Sequence, residues 1–366
     1  MVATPLPDLD ALALQAAKAL LIEQHQRYTA TLSSRTSEIE RLVLLVEKLQ
    51  RMLFGAKSEK VLRQIDQLEL QLEELQAANA IEEFKAVAEA ASKLHGDDTP
   101  VPVLAPGNGR TKTGRLWTYV RDDRPSGDPT APAVWFAYSP DRRGERPRQH
   151  LKLYKGALQA DAYAGFQQLY EDGSIREVAC WAYTRRKFHE IHIAHPSPVT
   201  SEAIERISAL YAIEAELRGS TPEIRKSIRQ ARARPLLESM NAWLEAIRAK
   251  LSRKSDTAAA IRYALSRWTA LTRYVDDGQM EIDNNAAERA LRVIALGRKN
   301  YLFAGSNAGG ERAAAIYSLL GSAKLNGLDP ELYLHHVLER IADQPISRIN
   351  QLLPCNVALS SLTATD

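Results

Sequence analysis

The sequence predicts an α/β protein in which a mixed β-sheet with flanking helices follows a helical N-terminal region. Two aromatic and β-branched runs, LWTYV at 116–120 and VWFAY at 134–138, are bounded by Gly, Pro and Asp, as is typical of strands. Residues 1–94 instead contain few helix breakers, and their apolar residues recur three and four positions apart. The period therefore changes from helical to strand-like near residue 95.

The bulk composition is that of an ordinary globular protein. The chain has 366 residues, 45% of them hydrophobic and 25% charged, with a net charge of +3. Its length suggests two or more domains. Two cysteines exclude a disulfide framework and a four-cysteine zinc site within one chain. No apolar run is long enough to span a bilayer, so we expect a cytoplasmic protein without a membrane partner.

The N-terminal region carries two heptad-like apolar seams, at 39–52 and 61–75, with Glu, Gln, Lys and Arg on the other faces. The segment FGAKSEK at 54–60 separates them and predicts a turn. We expect a helical hairpin or an intermolecular coiled coil, through which the chain would form a homo-oligomer. A helix packed on the body of its own chain is the alternative.

Five strands are predicted in the next region. The first three form an antiparallel meander with turns at 105–114 and 122–132, and Asp97 and Asp98 are placed just before the first strand. A short fourth strand ends near Asp161 and is followed by a helix whose apolar residues are Tyr163, Phe166, Leu169 and Tyr170. The run REVACWAY at 176–183 predicts the fifth strand.

Residues 200–275 are predicted to be helical, and DNNAAERALRVIALGRKN at 283–300 predicts a further helix with good capping residues at its start. Helical spacing places Asn284, Glu288 and Arg292 on one face. An amide, a carboxylate and a guanidinium in a row suit a metal ion and a phosphate. The alternative is structural, because Asn285 and Glu288 have the spacing of a capping box.

Three carboxylates are the candidate metal ligands. If the first and fourth strands are neighbours, Asp97 and Asp161 converge at one end of the sheet, and Glu288 on the later helix completes the set. Close carboxylates repel one another, and divalent cations relieve that repulsion. Oxygen ligands favour two Mg²⁺ or Mn²⁺ ions, which support in-line phosphoryl displacement. Alternatively, Asp97 belongs to a turn and Asp161 caps a helix.

The sequence resembles the transposases of the insertion sequence 66 family, which are DDE-type enzymes with a ribonuclease H-like catalytic domain. The resemblance is carried by LQRMLFGAKSEK at 49–60, DDTPVPVL at 97–104, LQADAYAGF at 158–166, CWAYTRRKF at 180–188 and the long block at 283–334. It implies that Asp97, Asp161 and Glu288 form the catalytic, metal-binding triad. It also implies metal-dependent DNA cleavage and strand transfer during transposition.

The resemblance implies a division of the chain and a set of partners. The expected parts are a leucine-zipper-like region at 1–94, a ribonuclease H-like core at 95–190, a helical insertion at 191–275, the second part of the catalytic domain at 276–345 and a weakly structured tail at 346–366. Transposon ends and target DNA are the expected partners, together with accessory transposition proteins, which would place the chain at the nucleoid. The candidate phosphate contacts, from charge and position, are Arg289, Arg292, Arg298 and Lys299.

Two features depart from the family pattern. The stretch between Leu75 and Asp97 contains no cysteine and is too short for the family's zinc-binding and helical DNA-binding segments. Tyr183 also stands where the family motif commonly has a histidine. The alternatives to an active transposase are therefore an internally deleted, non-catalytic remnant that binds DNA or a partner transposase, and a metal-dependent nuclease without strand transfer.

Overall fold

The computed structural model describes residues 91–357 except 106, 108, 162, 172, 299–301 and 342–343. The described residues up to Glu339, together with 353–357, belong to one compact unit, and Arg340–Leu352 belong to a second. The predicted N-terminal seams and Lys299 lie outside the described residues, so those expectations stay predictions, as do the predicted boundaries of the parts of the chain.

A five-stranded mixed sheet lies at the centre of the larger unit, as predicted. Its strands are β1 Lys93–Val103, β2 Lys112–Arg121, β3 Ala133–Ser139, β4 Gly156–Ala160 and β5 Ile175–Val178. The order across the sheet is β3-β2-β1-β4-β5. The first three strands pair antiparallel, and β1, β4 and β5 run parallel. The predicted meander and the predicted neighbourhood of the first and fourth strands are both confirmed.

The prediction that Asp97 and Asp98 precede the first strand is wrong, because both lie in the middle of β1. The strand begins four residues earlier, at Lys93, whose side chain is fully buried. Its ammonium lies 3.3 Å from Asp123 and 3.6 Å from Glu281 and donates to the Gln279 carbonyl at 2.8 Å. Charge pairing across the fold therefore permits a buried lysine at a position that the sequence pattern assigns to the helical N-terminal region.

The predicted fifth strand at 176–183 is too long. β5 ends at Val178, and a helix begins at Trp181. The backbone N–H of Ala179 donates to the Ala270 carbonyl, and that of Trp181 donates to the Ile282 carbonyl. These bonds turn the chain out of the sheet, so the apolar residues that resemble a strand form the buried first turn of a helix.

Eleven α-helices occur among the described residues: α1 Glu145–His150, α2 Gln167–Tyr170, α3 Trp181–Ala194, α4 Pro198–Leu217, α5 Pro222–Ile228, α6 Arg234–Lys250, α7 Asp256–Ser266, α8 Trp268–Thr272, α9 Asn285–Gly297, α10 Asn307–Leu325 and α11 Pro330–Ile341. A π-helical turn at Arg229–Ala233 joins α5 to α6. None of the described helices is long and apolar enough to cross a lipid bilayer.

Two of the apolar clusters hold helices α3 to α10. The helices from α3 to α8 share a core with Ala157 of β4 and with Val178 at the end of β5. On the other core, α9 and α10 contribute Ala287, Ile294 and Ala314 against side chains of β1, β2 and β3. The helical region at 181–275 therefore packs near the parallel strands, and the C-terminal helices pack on the meander.

Helix α10 lies along the sheet edge formed by β3. The hydroxyl of Ser318 accepts the N–H of Phe136 at 2.8 Å, and that of Ser322 accepts the N–H of Val134 at 3.0 Å. A Cβ at Gly310 would lie 2.6 Å from the ring of Tyr138, so only glycine permits this approach. Small residues thus bring the helix close enough to bind backbone groups of an edge strand, which would otherwise remain unpaired.

We expect Ser318→Ala to lower the free energy of unfolding by about 1–3 kcal/mol, because it leaves the buried N–H of Phe136 without an acceptor. Chemical denaturation of the variant and the parent measures the difference. The matched control is Ser208→Ala, which removes an exposed hydroxyl that bonds only the Ile204 carbonyl of its own helix. Equal losses in the two variants would contradict the role of Ser318.

Candidate active site

Asp97, within β1, and Asp161, directly after the end of β4, lie at the same level of two neighbouring parallel strands. Gly96 of β1 and Ala160 of β4 are the last paired residues of the two strands, and the residue after each of them is an aspartate. Neighbouring strands are separated by about 4.8 Å, so the two carboxylates start from adjacent positions. The structure therefore brings together two of the three predicted site residues.

The two consecutive aspartates of β1 point to opposite faces, as the strand period requires. Asp98 has a fully buried side chain, and both of its oxygens accept from the guanidinium of Arg142, at 2.7–3.1 Å. Arg115 donates to the same carboxylate at 3.0 Å. Asp97 accepts only the N–H of Asp98, at 2.7 Å, among the described residues. Both carboxylate oxygens of Asp98 are therefore engaged in ion pairs. One carboxylate oxygen of Asp97 accepts no hydrogen bond among the described residues.

Glu288 is positioned through Asn284, the residue that precedes α9. The Asn284 side chain is buried, donates to the Gly96 carbonyl at 2.8 Å and lies 3.1 Å from His95 Nδ1. These bonds hold the start of α9 against the residue before Asp97, and Glu288 follows one helical turn later. No side-chain capping bond forms at the start of this helix, so the capping-box alternative is not what the structure contains.

The histidine beneath this contact is neutral. Burial and the nearby Lys93 charge lower the pKa of His95 to about 3. A neutral imidazole can donate from Nδ1 to the Asn284 carbonyl oxygen while the amide group of Asn284 donates to Gly96. The anchor of α9 therefore consists of neutral groups and adds no charge beside the carboxylates.

The electrostatics of Asp97 are those of a crowded acidic site. Burial and then the negative charge of Asp161 raise the pKa of Asp97 to about 7, and Glu288 contributes in the same direction. Burial likewise raises the pKa of Asp161, although the charges of Arg142 and Arg267 oppose the rise. A buried carboxylate whose pKa is raised by burial and by neighbouring negative charge is stabilised in its ionised form by a cation.

The carboxylate oxygens of Asp97 and Asp161 are chemically suited to bind a hard divalent cation. Asp97 and Asp161 each use only Oδ1, which accepts a backbone N–H from Asp98 or Tyr163, so one oxygen of each carboxylate accepts no hydrogen bond among the described residues. Such oxygens are the ligands that Mg²⁺ and Mn²⁺ prefer. The alternative in which Asp161 caps a helix is not what the structure contains, because the helical turn at Ala164–Phe166 begins after Tyr163 and has no side-chain capping bond.

Glu288 is not placed to share a metal ion with Asp97 and Asp161 in this conformation. Its carboxylate lies 3.4 Å from the guanidinium of Arg186 on α3, and both side chains are partly exposed. Among the described residues, no three side chains of His, Cys, Asp or Glu lie close enough together to bind a metal ion. The third carboxylate is therefore near the pair and engaged with an arginine.

The predicted basic contacts occupy different environments. Arg289 and Arg292 are exposed on α9, where Arg289 lines a cavity of about 210 Å³ between α4, α5 and the start of α9. Arg298 donates to the hydroxyl of Thr99, so part of its guanidinium is committed within the protein. The face predicted to carry Asn284, Glu288 and Arg292 runs from a buried amide to an exposed arginine.

Sequence reasoning missed three residues of this site. Arg115 and Arg142 neutralise Asp98, and Arg186 holds Glu288. All three belong to basic clusters visible in the sequence, but only the fold shows which carboxylate each one meets. Tyr183 lies on α3, where its ring is 5.5 Å from the ring of Tyr263 and 4.9 Å from the ammonium of Lys187.

Fold and site together define an α/β protein with acidic side chains at adjacent positions of two parallel strands. The chain belongs to the IS66 family of transposases. Its residues 56–312 match the profile described as "Transposase IS66 family", and residues 318–355 match the profile described as "IS66 C-terminal element". The predicted family resemblance is confirmed.

Curated relatives come from Sinorhizobium fredii (strain NBRC 101917 / NGR234). The chain is 42% identical to the uncharacterized protein y4hP over 281 residues. This match covers 72% of the chain and 50% of the relative. It is 39% identical over 272 residues to the uncharacterized protein y4qI, again covering 72% of the chain and 50% of the relative. The chain thus spans about half the length of these relatives.

We expect Asp98→Asn to lower the free energy of unfolding by about 2–4 kcal/mol, because it leaves two arginines around a buried neutral amide. Thermal or chemical denaturation measures the loss. Asp141→Asn is the matched control, since Asp141 pairs with Arg143 and Arg146 at a partly exposed position, where such pairs contribute about 0–1 kcal/mol. A loss at Asp98 no larger than at Asp141 would refute this assignment.

Proposed function

We propose that this chain carries the catalytic part of a DDE transposase, with Asp97, Asp161 and Glu288 as its metal-binding triad. The observation that carries the proposal is the parallel pairing of β1 and β4, which sets Asp97 beside Asp161. The Asn284 contacts with His95 and Gly96 support the third position, because they fix the helix of Glu288 next to the same strand.

The sheet supports a ribonuclease H-like catalytic domain. Its order β3-β2-β1-β4-β5, with an antiparallel meander followed by parallel strands, agrees with that expectation. Under the proposal, residues 95–190 and 276–345 are the two parts of the catalytic domain, and the helices of 191–275 are an insertion between them. Segment 276–284 then returns the chain from the insertion to the sheet.

Asp97 and Asp161 would hold the two Mg²⁺ or Mn²⁺ ions, and Glu288 would complete their ligands. When bound, such ions activate a water or 3′-hydroxyl and stabilise the leaving oxygen of an in-line displacement at phosphorus. The protein residues contribute orientation. Asp98 and its two arginines fix β1, and Asn284 fixes α9. Glu288 must exchange its contact with Arg186 for the site.

DNA is the proposed partner, as transposon end and as target. The exposed Arg289 and Arg292 on α9, the helix that carries Glu288, are suited to contact its phosphates. Arg298 is less suited because it already bonds Thr99. The positive charge of the arginines lies near the carboxylates, where a DNA strand would have to pass in order to be cleaved.

A non-catalytic remnant that binds DNA or a partner transposase is the second candidate. The ion pair between Glu288 and Arg186 favours it, because this contact keeps the third carboxylate away from the aspartates. The remnant retains the basic surface and lacks metal-dependent chemistry. Assays of DNA retention and DNA nicking in parallel, with and without Mg²⁺, separate the candidates, since retention without nicking identifies the remnant.

We expect Asp97→Asn, Asp161→Asn and Glu288→Gln each to reduce DNA cleavage by about 10²-fold or more, because each removes a negative charge that binds the ions. Cleavage of labelled DNA measured over time gives the rates. Chelation of divalent ions should abolish cleavage by the parent chain, and addition of Mg²⁺ or Mn²⁺ should restore it.

The matched control is Glu190→Gln, the same substitution at an exposed position of α3. It should leave the cleavage rate unchanged. Cleavage that survives Glu288→Gln at the parent rate would remove Glu288 from the triad, and cleavage by a chelated parent chain would remove the metal from the mechanism.

A further inference from the structure

The side chains of Lys187 and Arg267 both contact the ring of Tyr263. The ammonium of Lys187, on α3, lies 4.7 Å from the ring centre of Tyr263 on α7 and 4.9 Å from that of Tyr183. The guanidinium of Arg267, which follows α7, lies 4.9 Å from the ring centre of Tyr263. Cation–π contacts therefore place both cations within 4.9 Å of the centre of one aromatic ring.

Neither cation is neutralised within the described part of the chain. Lys187 and Arg267 form no ion pair with any described carboxylate, in contrast to Arg186, Arg225 and Arg229. The Nε of Arg267 is buried and has no hydrogen-bond partner there. Positive charges without a carboxylate partner are stabilised when an anion binds beside them.

The pair lies at the carboxyl end of the parallel strands. Arg267 immediately precedes α8, whose Ala270 carbonyl accepts the N–H of Ala179 just beyond β5. The charge of Arg267 also opposes the rise in the pKa of Asp161. On the other side, Lys187 follows Arg186, the residue paired with Glu288. Arg267 therefore acts on one proposed catalytic carboxylate, and Lys187 belongs to the helix that contacts another.

We propose that Lys187 and Arg267 bind backbone phosphates of the DNA strand that is held at the carboxylates, with Tyr183 and Tyr263 as positioning residues for the two cations. This rests on the proposed DNA-processing function. Arginine and lysine are suited to phosphate oxygens, and a nucleic-acid strand presents such a group at every nucleotide. An isolated anion site is less suited, because the strand must continue from the carboxylates across α3 and α7.

The test measures DNA affinity without chemistry. The full chain and its Lys187→Gln and Arg267→Gln variants are titrated, in chelator, against a fluorescent DNA duplex with a single-stranded tail over a series of salt concentrations. Each variant should bind roughly 5- to 10-fold more weakly near 0.1 M salt, and its slope of log affinity against log salt should fall by about 0.7–0.9. Lys187→Arg, which keeps the charge, should retain the parent slope.

Lys250→Gln, at an exposed position in the last turn of α6, is the matched control and should keep the parent slope. A structural role for Lys187 or Arg267 alone would change stability and leave the salt slope unaltered. Parent slopes in both variants, or no binding by the parent chain, would overturn the proposal. Because no divalent ion is present, reduced slopes support the phosphate site even if the chain never cleaves DNA.

Discussion

The contact of Asn284 with β1 is the constraint on which the proposed site depends. A single amide binds the carbonyl before Asp97 and the neutral His95, and it thereby places a helix from the C-terminal part of the chain beside an early strand. Together with the packing of Ala287 and Ile294 on the sheet, that contact fixes Glu288 relative to the two aspartates. The Asn284 amide is buried, so it cannot turn away without leaving the Gly96 carbonyl unpaired.

Buried ion pairs hold segment 276–284, which leads into α9. Glu281 forms ion pairs with two residues of distant elements, Lys93 of β1 and Arg225 of α5. Arg229 pairs with Glu214 of α4 and donates to the carbonyls of Tyr274 and Asp277. Removing one member of such a network leaves an unpaired buried charge. The return segment is therefore fixed to both the sheet and the helices of 191–275.

Positive charge is distributed unevenly around the carboxylates. Asp98 is fully neutralised by two arginines and Glu288 is partly neutralised by one, whereas Asp97 has no arginine partner among the described residues. Repulsion from Asp161 and burial are consequently concentrated on Asp97, whose pKa rises to about 7. A chain with this distribution favours cations at Asp97 and Asp161 and anions at the exposed arginines and lysines nearby.

The sequence by itself determined the meander, the helix at 285–297 and the family, because apolar periodicity and motif spacing are local properties. It could not place the start of β1 at Lys93 or the end of β5 at Val178, since these depend on Asp123, Glu281, Ala270 and Ile282, which are remote in sequence. Only the tertiary structure decided that Asp98 meets arginines while Asp97 lies beside Asp161. Adjacent side chains of a strand face opposite sides, and what each meets is set by the packing of distant elements.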